Sequence, residues 1–292
     1  MNAPLLTTPR VEPFFFDARP GTRFSLYHAP NPQVAPRGAI LYVHPFAEEL
    51  NRTRRMAAQQ SRAFAALGYA VLQIDLFGCG DSCGEFNAGR WQIWHDDLLL
   101  AANWLAERDS GPLTLWGVRL GGLLALDAAA RLRPRTVLLW QPFMSGRACI
   151  NEFLRMSPQL RDPAPGGPRS TAALRAQLAV HGAIEVGGYE VAVPLVKAVD
   201  ACDAAGLALP PCTVHWFAQA AGQAGAQGSA PGDAAASKAA ASAARLAARW
   251  APGGVRLHFH PLDGASGWAG RGELDIPALR AATCDLFSGD PA

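Results

Sequence analysis

Short apolar runs alternate along the chain with longer segments in which apolar residues recur at helical spacing. Continuous apolar runs are typical of parallel strands, because such strands are covered on both faces, and the periodic segments favour amphipathic helices. Strands that alternate with helices predict βαβ units and a parallel sheet, so the expected fold class is α/β. The predicted strands are Ala39 to Val43, Tyr69 to Phe77, Leu113 to Val118, Val137 to Trp140, Cys212 to Phe217 and Val255 to His260. The predicted helices are Arg52 to Leu67, Trp91 to Glu107, Leu120 to Leu132, Ser237 to Trp250 and Ile276 to Phe287.

Three further segments complete the predicted outline of a single domain. Phe14 to Phe16 and Phe24 to Tyr27 flank a turn at Arg19-Pro20-Gly21, which predicts a β-hairpin before the first parallel strand. Residues 143–210 follow the sixth strand and lose the regular alternation, and we interpret them as an insertion over the sheet edge. Residues 218–236 are rich in Ala, Gly, Gln and Ser and predict a mobile loop.

Composition and charge limit the kinds of partner and the cellular compartment that we expect for this protein. The 292 residues carry 26 Lys and Arg against 24 Asp and Glu, a net charge of +2, and the basic residues are scattered, so no nucleic-acid partner is expected. No apolar run approaches the roughly 20 residues of a membrane span, and Met1 to Arg10 lacks the pattern of a secretory signal. Only Cys79 and Cys83 lie close together, which is a poor disulfide or metal framework. We therefore predict a cytoplasmic protein with reduced thiols, no transmembrane segment, no metal and no cofactor.

The most informative motif lies where the predicted strand Leu113 to Val118 meets the following helix. Gly117-Val118-Arg119-Leu120-Gly121 keeps the glycine frame of a nucleophile elbow, a sharp strand-to-helix turn. The glycines are needed because side chains two residues to either side of the nucleophile would collide. The central residue is Arg119, whose guanidinium stays protonated and offers no lone pair. Arg119 cannot be a nucleophile.

The segments LYVHPFAEELNRTRRM, GYAVLQIDLFGCGDSCGEF, WGVRLGG and GGYEV resemble the α/β-hydrolases of the serine aminopeptidase S33 type. More narrowly, they resemble the exosortase A system-associated hydrolase 2 group. The resemblance implies a mostly parallel central sheet of about eight strands, with helices on both faces and a small insertion after the sixth strand. It also implies an acyl ester or thioester hydrolase that acts beside exopolysaccharide and PEP-CTERM protein-sorting systems, on a small-molecule or acyl substrate.

That family's chemistry requires a nucleophile on the elbow, an acid after the seventh strand and a histidine after the eighth. Here no Asp or Glu follows Val214 to Phe217 before Asp233, and Gly267 stands where the histidine is expected. Loss of the nucleophile alone lowers turnover of a serine triad on the order of a million-fold. We therefore interpret the triad as lost and ordinary serine hydrolysis as the less favoured mechanism.

Arg119, His44 and Glu48 are the candidate catalytic residues in place of the triad. Arg119 should lie at a helix N-terminus, which already favours anions, so it is a candidate cradle for a carboxylate or phosphate. Alternatively, Arg119 forms an internal ion pair with Glu48, Glu49 or Asp75 and fills a site that is no longer active. A His44–Glu48 pair would be a competent general base for water; alternatively, His44 only hydrogen-bonds the loop backbone.

Phe46, Leu120, Glu49 and Asp75 are the candidate residues of the oxyanion position and pocket. Ser82, in Gly80 to Gly84, and the pair His258 and His260, which face one side of a strand, are interpreted as structural. Three hypotheses follow. The chain is an acyl hydrolase with a non-serine mechanism, a non-catalytic protein that binds an anionic ligand or partner at the Arg119 pocket, or a serine enzyme with its nucleophile elsewhere.

Overall fold

The computed structural model describes residues 10–109, 111–163, 167–219, 231–262, 268 and 272–289, with the side chains of residues 219 and 231–237 excepted. The strands of the main sheet are β1 (Val11–Asp17), β2 (Thr22–His28), β3 (Gly38–Val43), β4 (Tyr69–Ile74), β5 (Leu113–Val118), β6 (Thr136–Trp140), β9 (Thr213–Gln219) and β10 (Arg256–Leu262). A separate hairpin consists of β7 (Ala183–Val186) and β8 (Tyr189–Ala192). The helices are α1 (Glu48–Ala66), α2 (Trp91–Arg108), α3 (Leu120–Leu132), α4 (Gly146–Arg155), α5 (Pro158–Arg161), α6 (Thr171–His181), α7 (Val193–Ala201), α8 (Pro231–Trp250) and α9 (Pro277–Ser288).

The eight strands are ordered β1-β2-β4-β3-β5-β6-β9-β10. The first two pairings, β1 with β2 and β2 with β4, are antiparallel, and all the others are parallel. The predicted mostly parallel sheet of eight strands is therefore confirmed. Because the carboxyl ends of parallel strands share one edge of the sheet, the loops after β3, β4, β5 and β6 converge there.

The core lies on both faces of the sheet, as the continuous apolar strands predict. One cluster packs α2, α3 and the insertion against the sheet, and the other packs α1 and α9 against the opposite face. Trp116 and Trp140 lie in the second cluster with ring centroids 4.7 Å apart. Both are fully buried, so the centre of the sheet is a rigid base for the loops above it.

Helix α8 begins earlier than the sequence predicts. Residues 231–236 were expected in a mobile loop, but they form the first turns of this helix, and Ala218 and Gln219 belong to β9. The physical reason is composition: alanine has the highest helix propensity, and Pro231 suits the first helical position. The remaining residues of the predicted loop, 220–230, lie outside the described residues.

The insertion between β6 and β9 contains more regular structure than its sequence pattern suggests. Its described residues form the β7–β8 hairpin and four helices, α4 to α7. Arg175 on α6 fastens these helices together. Its guanidinium donates to Asp200 at 2.6 and 3.1 Å and to Asn151 on α4 at 2.8 Å. The insertion is thus held as a unit over the sheet edge.

Candidate functional site: an arginine on the elbow between β5 and α3

The turn from β5 into α3 has the strained backbone of a nucleophile elbow. Arg119 has φ 54° and ψ −119°, a region that costs a non-glycine residue about 1–3 kcal/mol. A Cβ at Gly117 would lie 2.5 Å from Gly121 O, and one at Gly121 would lie 2.3 Å from Val43 O. Gly117 therefore allows the start of α3 to pack against β5, and Gly121 allows it to approach the end of β3. The sharp turn predicted from the sequence is present, with an arginine at its apex.

Two glutamates hold the Arg119 side chain. Nε donates to Glu49 Oε1 at 2.9 Å, and Nη2 donates to Glu152 Oε1. The Glu49 side chain is 14% exposed and the Glu152 side chain 49% exposed. Two rings flank the guanidinium: Cζ lies 4.0 Å from the ring centre of Phe143 and 5.1 Å from that of Trp268. Arg119 is thus an ion-paired residue enclosed by aromatic side chains.

The charges at the site explain why Arg119 stays protonated. Burial alone would lower the pKa of Arg119, but Glu49 and Glu152 more than offset it, and the pKa is raised above its ordinary value. Burial raises the pKa of Glu49, although Arg119 opposes that effect. The nucleophile position therefore carries a fixed positive charge at any working pH.

Three parts of the chain converge on the elbow. Glu49 lies in the first turn of α1, and Glu152 lies on α4 of the insertion. The segment after β10 is anchored to α1 by Arg52, which donates to Trp268 O at 2.8 Å and to Gly272 O at 2.9 Å. This anchoring places the Trp268 ring beside Arg119. The site is consequently built from elements far apart in the sequence.

His44 is buried, and both of its ring nitrogens are engaged with backbone groups. Nδ1 lies 2.8 Å from Pro45 O, and Nε2 accepts from Leu76 N–H at 3.2 Å. This pattern assigns the proton to Nδ1 and uses the Nε2 lone pair, and burial lowers the pKa of the ring. The geometry matches the alternative in which His44 only hydrogen-bonds the backbone. The ring connects the end of β3 to the loop after β4. It does not offer the free lone pair that a general base requires.

Glu48 lies at the surface, and its hydrogen-bond partners include neither His44 nor Arg119. Its Oε2 accepts from Tyr189 Oη at 3.3 Å and from Asn51 Nδ2 at 3.4 Å. Burial raises the pKa of Tyr189 to about 12, and Glu48 adds to this effect. The structure therefore does not bring together the predicted His44–Glu48 pair; Glu48 instead fastens the β7–β8 hairpin to α1.

Asp75 is buried at the end of β4 and also lacks a contact with Arg119. Its Oδ2 accepts from Arg54 Nη2 at 2.9 Å and from Asp81 N–H at 3.0 Å. Ser82 donates to Asp75 O and accepts from Phe24 N–H at 2.9 Å. Both side chains organise the loop after β4. Of the three internal partners proposed for Arg119, only Glu49 contacts it.

Phe46 lies in the loop after β3 and Leu120 begins α3, and both line one small cavity. Their backbone N–H groups donate to no acceptor among the described residues. This narrow cavity of about 10 Å³ has room for about one water molecule within the described part of the chain. Its lining is mainly apolar: His44, Pro45, Phe46, Ala47, Leu76, Cys79, Trp91, Trp94, Leu120, Gly121 and Leu124. One donor in the loop after β3 and one at the start of α3 are thus available to an acceptor.

Sequence reasoning missed Glu152, Phe143 and Trp268. Glu152 and Phe143 lie in the insertion, where the pattern gave no register relative to the elbow, and Trp268 follows the last strand. The only sequence signal was the unpaired charge of Arg119 itself, since a buried guanidinium requires carboxylates around it. The expected histidine position, Gly267, lies outside the described residues.

His258 and His260 do face the same side of β10, as predicted. They lie next to His215 on β9, whose Nδ1 is 3.1 Å from His260 Nε2. Within the described ranges, no group of three or more His, Cys, Asp or Glu side chains is arranged to hold a metal ion. Among the described residues, no helix is both long enough and apolar enough to cross a membrane.

Comparison with known proteins identifies the family. The sequence profile of the serine aminopeptidase S33 family matches residues 34–220, more than half of the chain. The chain belongs to this family of α/β-hydrolases. No protein with curated annotation matches the chain.

Solved structures agree with the S33 assignment at the level of the fold. An esterase from Pyrobaculum calidifontis is 16% identical with a TM-score of 0.60, and the match covers 96% of this chain and 84% of the esterase. Est1E from Butyrivibrio proteoclasticus, solved with ferulic acid, is 15% identical with a TM-score of 0.59, covering 94% and 96%. A protein of Agrobacterium vitis S4 assigned as a hydrolase is 19% identical with a TM-score of 0.62, covering 95% and 99%. The predicted α/β-hydrolase fold of this S33 chain is therefore confirmed.

Proposed function

We propose that this S33-family protein does not perform serine hydrolysis and that it uses the elbow to bind an anionic group. The observation that carries the proposal is the ion-paired guanidinium of Arg119 at the nucleophile position. Acyl transfer needs a nucleophile that can lose its proton and a base with a free lone pair. Arg119 provides neither, and the Nε2 lone pair of His44 is already engaged.

The local electrostatics support anion binding. The N-terminus of α3 carries a partial positive charge, and the N–H groups of Phe46 and Leu120 have no described acceptor. The Arg119 guanidinium, whose Nη1 donates to no described residue, adds a planar fork that matches carboxylate and phosphate oxygens. These donors and the guanidinium support recognition of an oxyanion, while all three triad positions differ from the family's pattern.

The competing hypothesis, acyl ester or thioester hydrolysis by a non-serine mechanism, is tested by activity. We expect no turnover of short-chain nitrophenyl esters or acyl thioesters above buffer and no labelling by a fluorophosphonate probe. Binding alone, without nucleophile and base, could supply no more than about 10³–10⁴-fold over water, so turnover above that limit would contradict the proposal. Turnover that disappears in His44→Gln or Arg119→Met would establish hydrolysis at this site. Probe labelling would instead reveal a serine nucleophile elsewhere in the chain.

The binding half of the proposal is tested with butyrate as the probe anion. Butyrate should raise the melting temperature of the wild-type protein and should fail to stabilise Arg119→Met. Arg131→Met is the matched control, because Arg131 pairs with Asp96 on the surface at 3.1 Å, where both side chains are about half exposed. Equal stabilisation of wild type and Arg119→Met would contradict binding at the elbow.

The cellular setting of this proposal comes from the sequence resemblance to the exosortase A system-associated group. We propose that the protein acts in the cytoplasm beside exopolysaccharide and PEP-CTERM sorting systems. The six free cysteines support a reducing compartment. Deletion of the gene should change exopolysaccharide output or PEP-CTERM protein sorting, and complementation with Arg119→Met should fail to restore it. A deletion strain with both outputs unchanged would contradict this setting.

A further inference from the structure

We infer that Glu152 competes with a ligand for the guanidinium of Arg119. The ligand with which it competes carries a single carboxylate attached to an apolar group. The inference rests on the proposed function, because it specifies which anion Arg119 binds. It starts from a difference between the two glutamates that hold the guanidinium.

Glu49 and Glu152 are unequal partners of Arg119. The Glu49 side chain is only 14% exposed, so its carboxylate could not regain its hydration without movement of α1. The Glu152 side chain is 49% exposed, and its carboxylate can rotate into water. Removing Glu152 from the guanidinium therefore costs little desolvation or packing, whereas removing Glu49 costs both.

Glu152 accepts from only one of the nitrogen atoms of the Arg119 guanidinium. Each glutamate accepts through one oxygen, and Arg119 Nη1 donates to no described residue. A guanidinium binds a planar oxyanion most favourably through two parallel N–H bonds. A carboxylate that replaces Glu152 can use Nη1 and Nη2 together, which the side chain of Glu152 does not do. The incoming group thus gains a bond that the internal carboxylate lacks.

Charge favours a carboxylate over a phosphate at this place. Replacing one carboxylate by another leaves the net charge around Arg119 unchanged, with Glu49 still in contact. Phosphate carries about −1.5 to −2 at neutral pH, so it would add negative charge beside the buried Glu49 carboxylate. The ring faces of Phe143 and Trp268 line the guanidinium and suit an apolar substituent on the ligand.

The exchange is expected to be a side-chain movement, without opening of the insertion. Helix α4 is fixed next to Glu152, because Asn151 accepts from Arg175 at 2.8 Å and Arg175 is paired with Asp200 on α7. The backbone that carries Glu152 therefore stays in place when its carboxylate leaves. A substitution that removes only the charge of Glu152 should then imitate the displaced state.

Titration with butyrate and with inorganic phosphate tests the inference. Glu152→Gln should bind butyrate about fivefold more tightly than the wild type, the size expected for loss of one half-exposed competing ion pair. Glu185→Gln is the matched control, because Glu185 is an exposed glutamate of the same insertion and the charge change is identical. Arg119→Lys, which keeps the charge and loses the fork, should bind butyrate more weakly than the wild type.

The outcomes separate this inference from the proposed function. Equal affinity of butyrate for wild type, Glu152→Gln and Glu185→Gln would overturn the competitor role and leave anion binding at Arg119 intact. Phosphate binding as tight as butyrate binding would overturn the carboxylate preference. Absence of butyrate binding in wild type and in Glu152→Gln, or binding unaffected by Arg119→Met, would overturn the proposed function as well.

Discussion

Two buried arginines, Arg23 on β2 and Arg119 on the elbow, solve the same electrostatic problem in different ways. Arg23 is fully buried and donates to Asp97 Oδ1 at 2.7 Å, while Asp97 is itself 2% exposed and accepts from Phe77 N–H at 2.8 Å. Arg119 is almost as buried, but one of its two carboxylates, Glu152, is half exposed.

The difference between the partners separates a structural ion pair from an exchangeable one. The carboxylate that pairs with Arg23 is enclosed by the fold, since the Asp97 side chain is only 2% exposed, and Arg23 Nη1 also donates to Pro20 O at 2.6 Å. A buried charge that loses its partner is strongly destabilising, so Arg23 and Asp97 must stay together. Arg119 can change one partner without leaving the other. A site for an external anion needs that property, and of these two arginines only Arg119 has it.

The largest expected effect is at Asp97. Asp97→Ala leaves the Arg23 guanidinium buried without a carboxylate and should lower the free energy of unfolding by about 3–5 kcal/mol. Asp96→Ala is the neighbouring control; its carboxylate is exposed, and the loss should be at most about 1 kcal/mol. Urea denaturation of the two variants measures the difference. Similar losses for both would mean that Arg23 does not depend on Asp97 and would break the comparison.

A smaller effect is expected for the two glutamates of the elbow. Glu49→Ala leaves Arg119 with only its outer partner and should cost about 1–3 kcal/mol. Glu152→Ala should cost less than about 1 kcal/mol, because its side chain is half exposed. Thermal and urea unfolding of both variants measures which substitution lowers the free energy of unfolding more. If Glu152→Ala proved the more damaging change, Glu152 would be a structural partner and the elbow would resemble the Arg23 site.

The sequence predicted the frame of the site better than its side-chain contacts. The bounds of α3, Leu120 to Leu132, were predicted to the residue, because the glycine frame and the apolar pattern depend only on local sequence. Gly117 and Gly121 likewise identify a close approach of backbones, and the approach is present.

The contacts of Arg119 depend on chain paths that local sequence does not encode. Glu152 is 33 residues from Arg119 and lies on an insertion whose helix α7 was missed. His44 and Glu48 are close in sequence, but the strained backbone of Ala47, with φ 52°, starts α1 between them. Glu48 then lies on the exposed side of the helix, and Glu49 lies toward Arg119. A difference of one residue at a helix start thus decided which glutamate reached the site.

The most direct test of the account is a crystal structure of the protein grown with butyrate. We expect the butyrate carboxylate on Nη1 and Nη2 of Arg119, Glu152 turned toward solvent, and Glu49 still accepting from Nε. A structure in which Arg119 keeps both glutamates, with butyrate absent from the elbow or bound elsewhere, would contradict the claim that this elbow is an anion-binding site.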